Sequence, residues 1–234
     1  YKGLDAWCCP LNGLVNQVKT LTRIDKTKIH FIPSALDLSR FSNNVSQETA
    51  RKILDLPQNQ ITIGLSGRFD PFKGHLLLLE AINQLENKKI NVCFLGEPTK
   101  GSGQEYTEQI NQTIEKYNLS DRVFIRPFRQ DIEVFYAAID LFIMASKAET
   151  FGMVTIEAMA SGVSVIASNG GGSPEILGEG KYGRLFEPLN AKSLSEQIKA
   201  FLEHERIDKS ILLHAVSIYD HHKVCEKVET VLGL

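Results

Sequence analysis

With 234 residues, 43% of them hydrophobic and 23% charged, the chain is long enough to bury a full core and has the make-up of an ordinary soluble globular protein. Its net charge of -2 excludes a surface that would hold nucleic acid by charge alone, so an anionic ligand needs a local site. The four cysteines (Cys8, Cys9, Cys93 and Cys225) show no C-x-x-C spacing, and no apolar run reaches about 18 residues, which argues against a zinc or redox pair and against a membrane span.

No signal-peptide pattern opens the chain, so the expected location is the cytoplasm. The first residue is Tyr1 rather than Met, which fits a piece of a longer protein. In chain order, 11–21 reads as a helix and 28–32 as a short strand, after which Pro33-Ser34-Ala35-Leu36-Asp37 turns the chain.

From Ile61 onward, short β-branched or aromatic runs alternate with helical periodicity, the pattern of parallel βαβ units. Strands are predicted at 61–66, 91–95, 123–125, 141–144, 163–167 and 184–186. Helices are predicted at 75–85, 106–117, 131–138 with Asp131 as N-cap, 153–160 and 193–203, with a last amphipathic helix over 224–232. The expected fold is α/β, a Rossmann-like doubly wound parallel sheet. Such sheets bind ligands beyond the carboxyl ends of their strands.

Three segments in those loops carry residues suited to chemistry. Gly67-Arg68-Phe69-Asp70-Pro71-Phe72-Lys73-Gly74 joins a predicted strand to a predicted helix. Arg68 supplies a planar fork and Lys73 a point charge where a helix start already favours an anion, a combination suited to phosphate. The spacing is neither G-x-G-x-x-G nor the P-loop, and a basic surface turn would look similar. His75, next in the chain, either touches the ligand or is exposed at the helix start.

In the second segment, Glu149-Thr150-Phe151-Gly152-Met153-Val154-Thr155-Ile156-Glu157, two carboxylates lie eight residues apart across a loop that opens a helix. Gly152 permits a sharp entry, and the N–H groups of Gly152, Met153 and Val154 would face the same anion as Arg68 and Lys73. Glu157 could accept from two ribose hydroxyls. Alternatively, Glu149 only favours the helix dipole and Glu157 is a solvated face residue. In the third segment, Asn169-Gly170-Gly171-Gly172-Ser173-Pro174-Glu175, three glycines either present N–H groups as a nest or form a plain turn.

Taken in order, these segments resemble the retaining glycosyltransferases of family 4, also called group 1, from about Lys28 to the end of the chain. The resemblance implies the C-terminal, donor-binding half of a glycosyltransferase-B fold. Residues 1–33 would be a remnant of the N-terminal acceptor domain, 34–208 the nucleotide-sugar domain, and 209–234 a helix crossing back. Ser34-Ala35 departs from the Asn-Gly common in that interdomain segment. It further implies that Arg68 and Lys73 hold the donor diphosphate, with Gly67 beside them, that Glu157 holds the ribose, and that Glu149 faces the donor sugar. The loop of Arg126, Pro127 and Phe128 would cradle the base, largely through backbone, and Phe151 would lie in the donor-binding segment.

The implied reaction is sugar transfer from a nucleotide-diphosphate sugar such as a UDP-sugar, with a glycan, lipid or small molecule as acceptor, in polysaccharide or glycolipid synthesis. The acceptor, and any peripheral membrane contact, would be met by the missing domain. This chain alone would be inactive. No cofactor or metal is expected, since no Asp-x-Asp element appears, and His221 and His222, placed in a loop, read as solvent-exposed rather than ligating. A nucleotide-sugar epimerase of the same fold and a non-catalytic binding module are the alternatives.

Overall fold

Alternation along the strands decides how the layers form. In the computed structural model, which describes residues 3–42, 45–85, 89–99, 101, 103–147, 149–204 and 206–234, six strands make one parallel sheet. They are β3 (Ile61–Ser66), β4 (Ile90–Leu95), β5 (Val123–Arg126), β6 (Leu141–Met144), β7 (Ser164–Ser168) and β8 (Arg184–Phe186). Side chains two apart share a face. Val92, Phe94, Leu141 and Ile143 point into one core, and Cys93, Leu95, Phe142 and Met144 into the other. Every residue of β4 and β6 is buried, as expected where helices cover both faces of a parallel sheet.

The first face is covered by α3 (His75–Asn83), α4 (Gly103–Lys116) and α8 (Ala191–Glu203), through Leu78, Ile82, Ile110, Leu194 and Ile198. The second is covered by α2 (Gln47–Ile53), α5 (Ile132–Ala138), α6 (Met153–Ala160) and α9 (Lys209–Val216), through Ala50, Phe135, Ile156 and Leu212. In α8, Ala191, Leu194, Ser195, Ile198 and Phe201 form one buried stripe at helical spacing, and Asn190 caps the helix by accepting from Ser193 N–H.

Strand order is β5-β4-β3-β6-β7-β8. The chain winds outward from β3 to β5, then returns to lay β6 against the other side of β3. The crevice beyond the carboxyl ends of β3 and β6 is therefore the topological switch point, where open α/β sheets bind their ligands.

All six predicted strands of this sheet are present, within a residue or so of the expected ends. Unforeseen were α2 and β1 (Trp7–Cys9), while α9 lies in the stretch 209–234 expected to be helical and the short α7 (Ser173–Ile176) carries Pro174 in its first turn. β1 pairs in parallel with β2 (Ile29–Phe31), and α1 (Asn12–Leu21) joins them. This small unit has a core of its own in Cys9, Val15, Ile24 and Ile29. Residues 1 and 2, the start of the expected remnant, lie outside the described residues.

Two local expectations fail. Asp131 stands at the N-cap of α5 but caps nothing with its side chain, because both carboxylate oxygens accept from Arg129, at 2.9 and 2.7 Å. His221 and His222 are not in a loop. Asp220 accepts from His222 N–H, so the last helix, α10 (His221–Leu232), begins one turn earlier than its apolar spacing indicates. No helix among the described residues is long and apolar enough to cross a membrane.

Candidate functional site

The switch-point loops do meet. Lys73, in the turn after β3, donates from Nζ to Glu149 Oε2 across 2.9 Å, joining the loop after β3 to the loop after β6. Both side chains are about three-quarters covered. Asp70 shapes the first loop by accepting from Phe72 N–H at 2.9 Å. Gly152 enters α6 at φ +95°, a left-handed conformation that lets the chain turn sharply, and no side chain caps that helix start.

The glycine loop supports Glu149. Gly171 lies at φ +61°, and a Cβ there would stand 2.0 Å from the Glu149 carbonyl oxygen. Gly172 N–H donates to the same oxygen at 2.8 Å, and Gly170 N–H donates to Ser168 O at 2.8 Å. Two of the three glycine N–H groups are thus spent on backbone oxygens, so the segment is a packed brace rather than an open nest.

A cavity of about 800 Å³, within the usual range for small-molecule sites, opens at the ends of β3 and β4, though neither Lys73 nor Glu149 lines it. Gly67, Arg68, Phe128, Val154 and Glu157 all line it. Among the described residues Arg68 has no hydrogen bond or ion pair, and Phe128 is 62% exposed. Glu157 is held by a hydrogen bond from Tyr136 Oη at 2.8 Å. Burial pushes the Glu157 carboxyl above its ordinary value, while the Tyr136 bond and the charge of Arg40 pull it back.

Other expected residues lie elsewhere. Arg126 ends β5 but turns away from the cavity, donating to Leu54 O at 2.5 Å and to Asp55 O at 2.7 Å, so its guanidinium fastens the 54–55 turn to the sheet. Phe151 is buried with its ring edge-on to Tyr219, 5.7 Å between centroids. Met153 opens α6 without lining the cavity. His75 is neither exposed nor at the ligand side. It is fully buried among the rings of Phe69, Phe94 and Tyr106, and burial, reinforced by the charge of Lys73, pulls its pKa down to about 3.

Several cavity residues escaped the sequence. Arg40 comes from the turn Leu38–Phe41 and pairs with Glu133 at 3.0 Å, and Arg129 is pinned by Asp131. Neither sits in a recognisable motif, and Arg40 reaches the cavity only through the tertiary fold. Gly96, Glu97 and Thr99 follow β4, where position alone marked a ligand loop. Tyr136 could have been suspected, because a tyrosine on a buried helix face needs a partner for its hydroxyl. No group of three or more His, Cys, Asp or Glu among the described residues is placed to hold a metal ion.

A parallel α/β domain with a cation and a carboxylate in one switch-point cavity is the class that fold and site define. Residues 46–213 match the family described as glycosyl transferases group 1. The chain belongs to that family. It is 30% identical to the D-inositol 3-phosphate glycosyltransferase of Mycolicibacterium smegmatis over 191 residues, which are 81% of this chain and 43% of that protein. The crystal structure of Anabaena HepE in complex with UDP matches with a TM-score of 0.85 and 25% identity, over 98% of this chain and 64% of that one. The C-terminal domain of a glycosyl transferase group 1 family protein, LpcC, from Francisella tularensis matches with a TM-score of 0.64 and 22% identity, over 83% of this chain and 98% of that domain. The chain spans about half the length of the relatives it matches. Its fold is that of the C-terminal-like half of a glycosyltransferase-B architecture.

Proposed function

We propose that this chain is the donor half of a retaining glycosyltransferase and that its cavity binds a nucleoside-diphosphate sugar without a metal ion. The observation that carries this reading is the pairing, in one cavity, of an arginine without a partner among the described residues, Arg68, with a half-buried carboxylate, Glu157. A diphosphate asks for the first and a ribose for the second. Arg68, Lys73 and the uncapped start of α6 stabilise charge on the leaving diphosphate, while Glu149 faces the sugar. Phe128 lies beside the base. The resemblance to a UDP-bound relative favours UDP as the nucleotide.

In this reading residues 1–33 end the acceptor domain, residues 34–208 hold the donor, and the segment from 209 crosses back towards that domain. The acceptor is a glycan, lipid or small molecule met by the other half, so this chain alone binds donor without transferring it. The test is calorimetric titration of the chain with UDP, GDP and ADP in EDTA, with Glu157→Ala as the control. One nucleotide binds the parent, and the variant loses it. A folded chain that takes up none of the three refutes the proposal.

A further inference from the structure

Glu175 stands outside the cavity, yet its carboxylate is fully engaged. Oε1 accepts from Asn12 N–H at 2.6 Å and from Asn12 Nδ2 at 3.0 Å, and Oε2 accepts from Gly13 N–H at 2.9 Å. Those two amides open α1, whose own N-cap residue, Leu11, offers no side-chain acceptor. A carboxylate from α7, far along the sequence, therefore satisfies the exposed donors and the positive dipole end of α1.

The contact continues on the other side. Glu175 belongs to α7, which starts just after Gly172, and Gly172 N–H donates to Glu149 O at 2.8 Å. A Cβ on Gly172 would lie 2.9 Å from Leu11 Cδ1. Leu11, Phe151 and Ile176 share one core, while β1, α1 and β2 keep a separate small core. The small unit thus touches the main domain at the brace behind Glu149.

We propose that Glu175 is a positioning residue, a clasp that caps α1 and so sets the β1–α1–β2 unit against the loop carrying Glu149. Movement of that unit then reaches Glu149 through α7 and Gly172, without any contact to the cavity. Its consequence for catalysis rests on the reading that Glu149 faces the donor sugar, but the coupling itself is measurable with no ligand present.

The experiment is site-resolved amide exchange by NMR on the unliganded chain, comparing the parent with Glu175→Gln and Asn12→Pro. The second variant leaves Glu175 and the glycine loop intact and removes Asn12's donors, and proline suits the first helical position after an extended Leu11 (φ −131°, ψ 144°). Both variants are expected to speed exchange at Gly13 and also at Gly172, by about tenfold or more. Faster exchange at Gly13 with Gly172 unchanged in both would reduce Glu175 to a local cap and overturn the proposal. No change at either amide would overturn it as well. Titration of the parent with UDP tests the donor reading separately, so a failure there leaves the exchange result intact.

Discussion

Tyr136 and Glu157 form a donor–acceptor pair, with the phenolic hydroxyl donating to Glu157 Oε2 across 2.8 Å while the tyrosine ring is wholly enclosed and the carboxylate half-buried. Burial, and then the neighbouring carboxylate charge, pushes the Tyr136 hydroxyl well above its ordinary value, so it stays protonated and remains a donor throughout the physiological range. Burial raises Glu157, and the Tyr136 bond works against that rise.

Tyr136→Phe is therefore expected to raise the Glu157 pKa further. Ribose hydroxyls donate to the carboxylate, so nucleotide affinity should fall as pH drops and Glu157 takes up a proton. Losing that hydrogen bond to the charged form moves the midpoint of that fall upward in the variant. Calorimetry with UDP between pH 5 and 8 reads it. Superimposable profiles would mean that Glu157 does not titrate against the ligand.

The Lys73–Glu149 pair occupies the lysine that a diphosphate would use. Each side chain keeps about a quarter of its surface exposed, so the pair is worth no more than about 1 kcal/mol. Glu149→Gln should then tighten UDP binding modestly, by at most about fivefold, because Lys73 no longer has a competing partner. Lys73→Gln should weaken it. Weaker binding in Glu149→Gln would show that the two groups do not compete.

Arg51 and Asp140 form an enclosed ion pair, 2.6 Å long with 4% and 9% of the side chains exposed. Arg51 also donates to Ala138 O and Gln58 O, and Asp140 accepts from Thr62 N–H, so the pair ties α2 to the starts of β3 and β6. Arg51→Ala leaves Asp140 only the longer contact to the exposed Arg206, at 3.3 Å, as an ion pair, and should cost up to about 3–5 kcal/mol in urea unfolding. A loss below about 1 kcal/mol would place the stability elsewhere.

His75 gives the fold a pH dependence of its own. Its pKa is about 3 when folded and near 6.5 when the chain is open, so the unfolded state binds the extra proton between those values. Stability from this group is complete above pH 6.5 and is lost as pH falls towards 3, at up to about 1.4 kcal/mol per pH unit. His75→Phe keeps a ring in the aromatic cage and should flatten this part of the curve. Parallel stability–pH curves for parent and variant would contradict it.

Periodicity made the sheet legible. Continuous apolar runs at β4 and β6 announce strands covered on both faces, and the stripe along α8 announces a surface helix, because both signals depend only on local geometry. Short elements such as β1 and α7 carry too few residues for a period to show. At the site, the Arg68, Glu149 and Glu157 segments stood out because a strand end, a glycine and a charged residue lie together in the chain. Adjacency in sequence does not say which way the side chains of Arg126 and Phe151 turn. In the fold Arg126 serves the 54–55 turn and Phe151 the core.

By itself the sequence determined the class of fold, the family and the loops in which a ligand must be met, because these follow from spacing along one segment at a time. The tertiary structure decided that Lys73 and Glu149 meet, that Tyr136 holds Glu157, that Arg40 reaches the cavity, and that Glu175 caps a helix more than a hundred and fifty residues away. Each of those contacts spans separate elements. Their geometry is fixed by strand order and by the packing of two cores, which no single segment of the chain encodes.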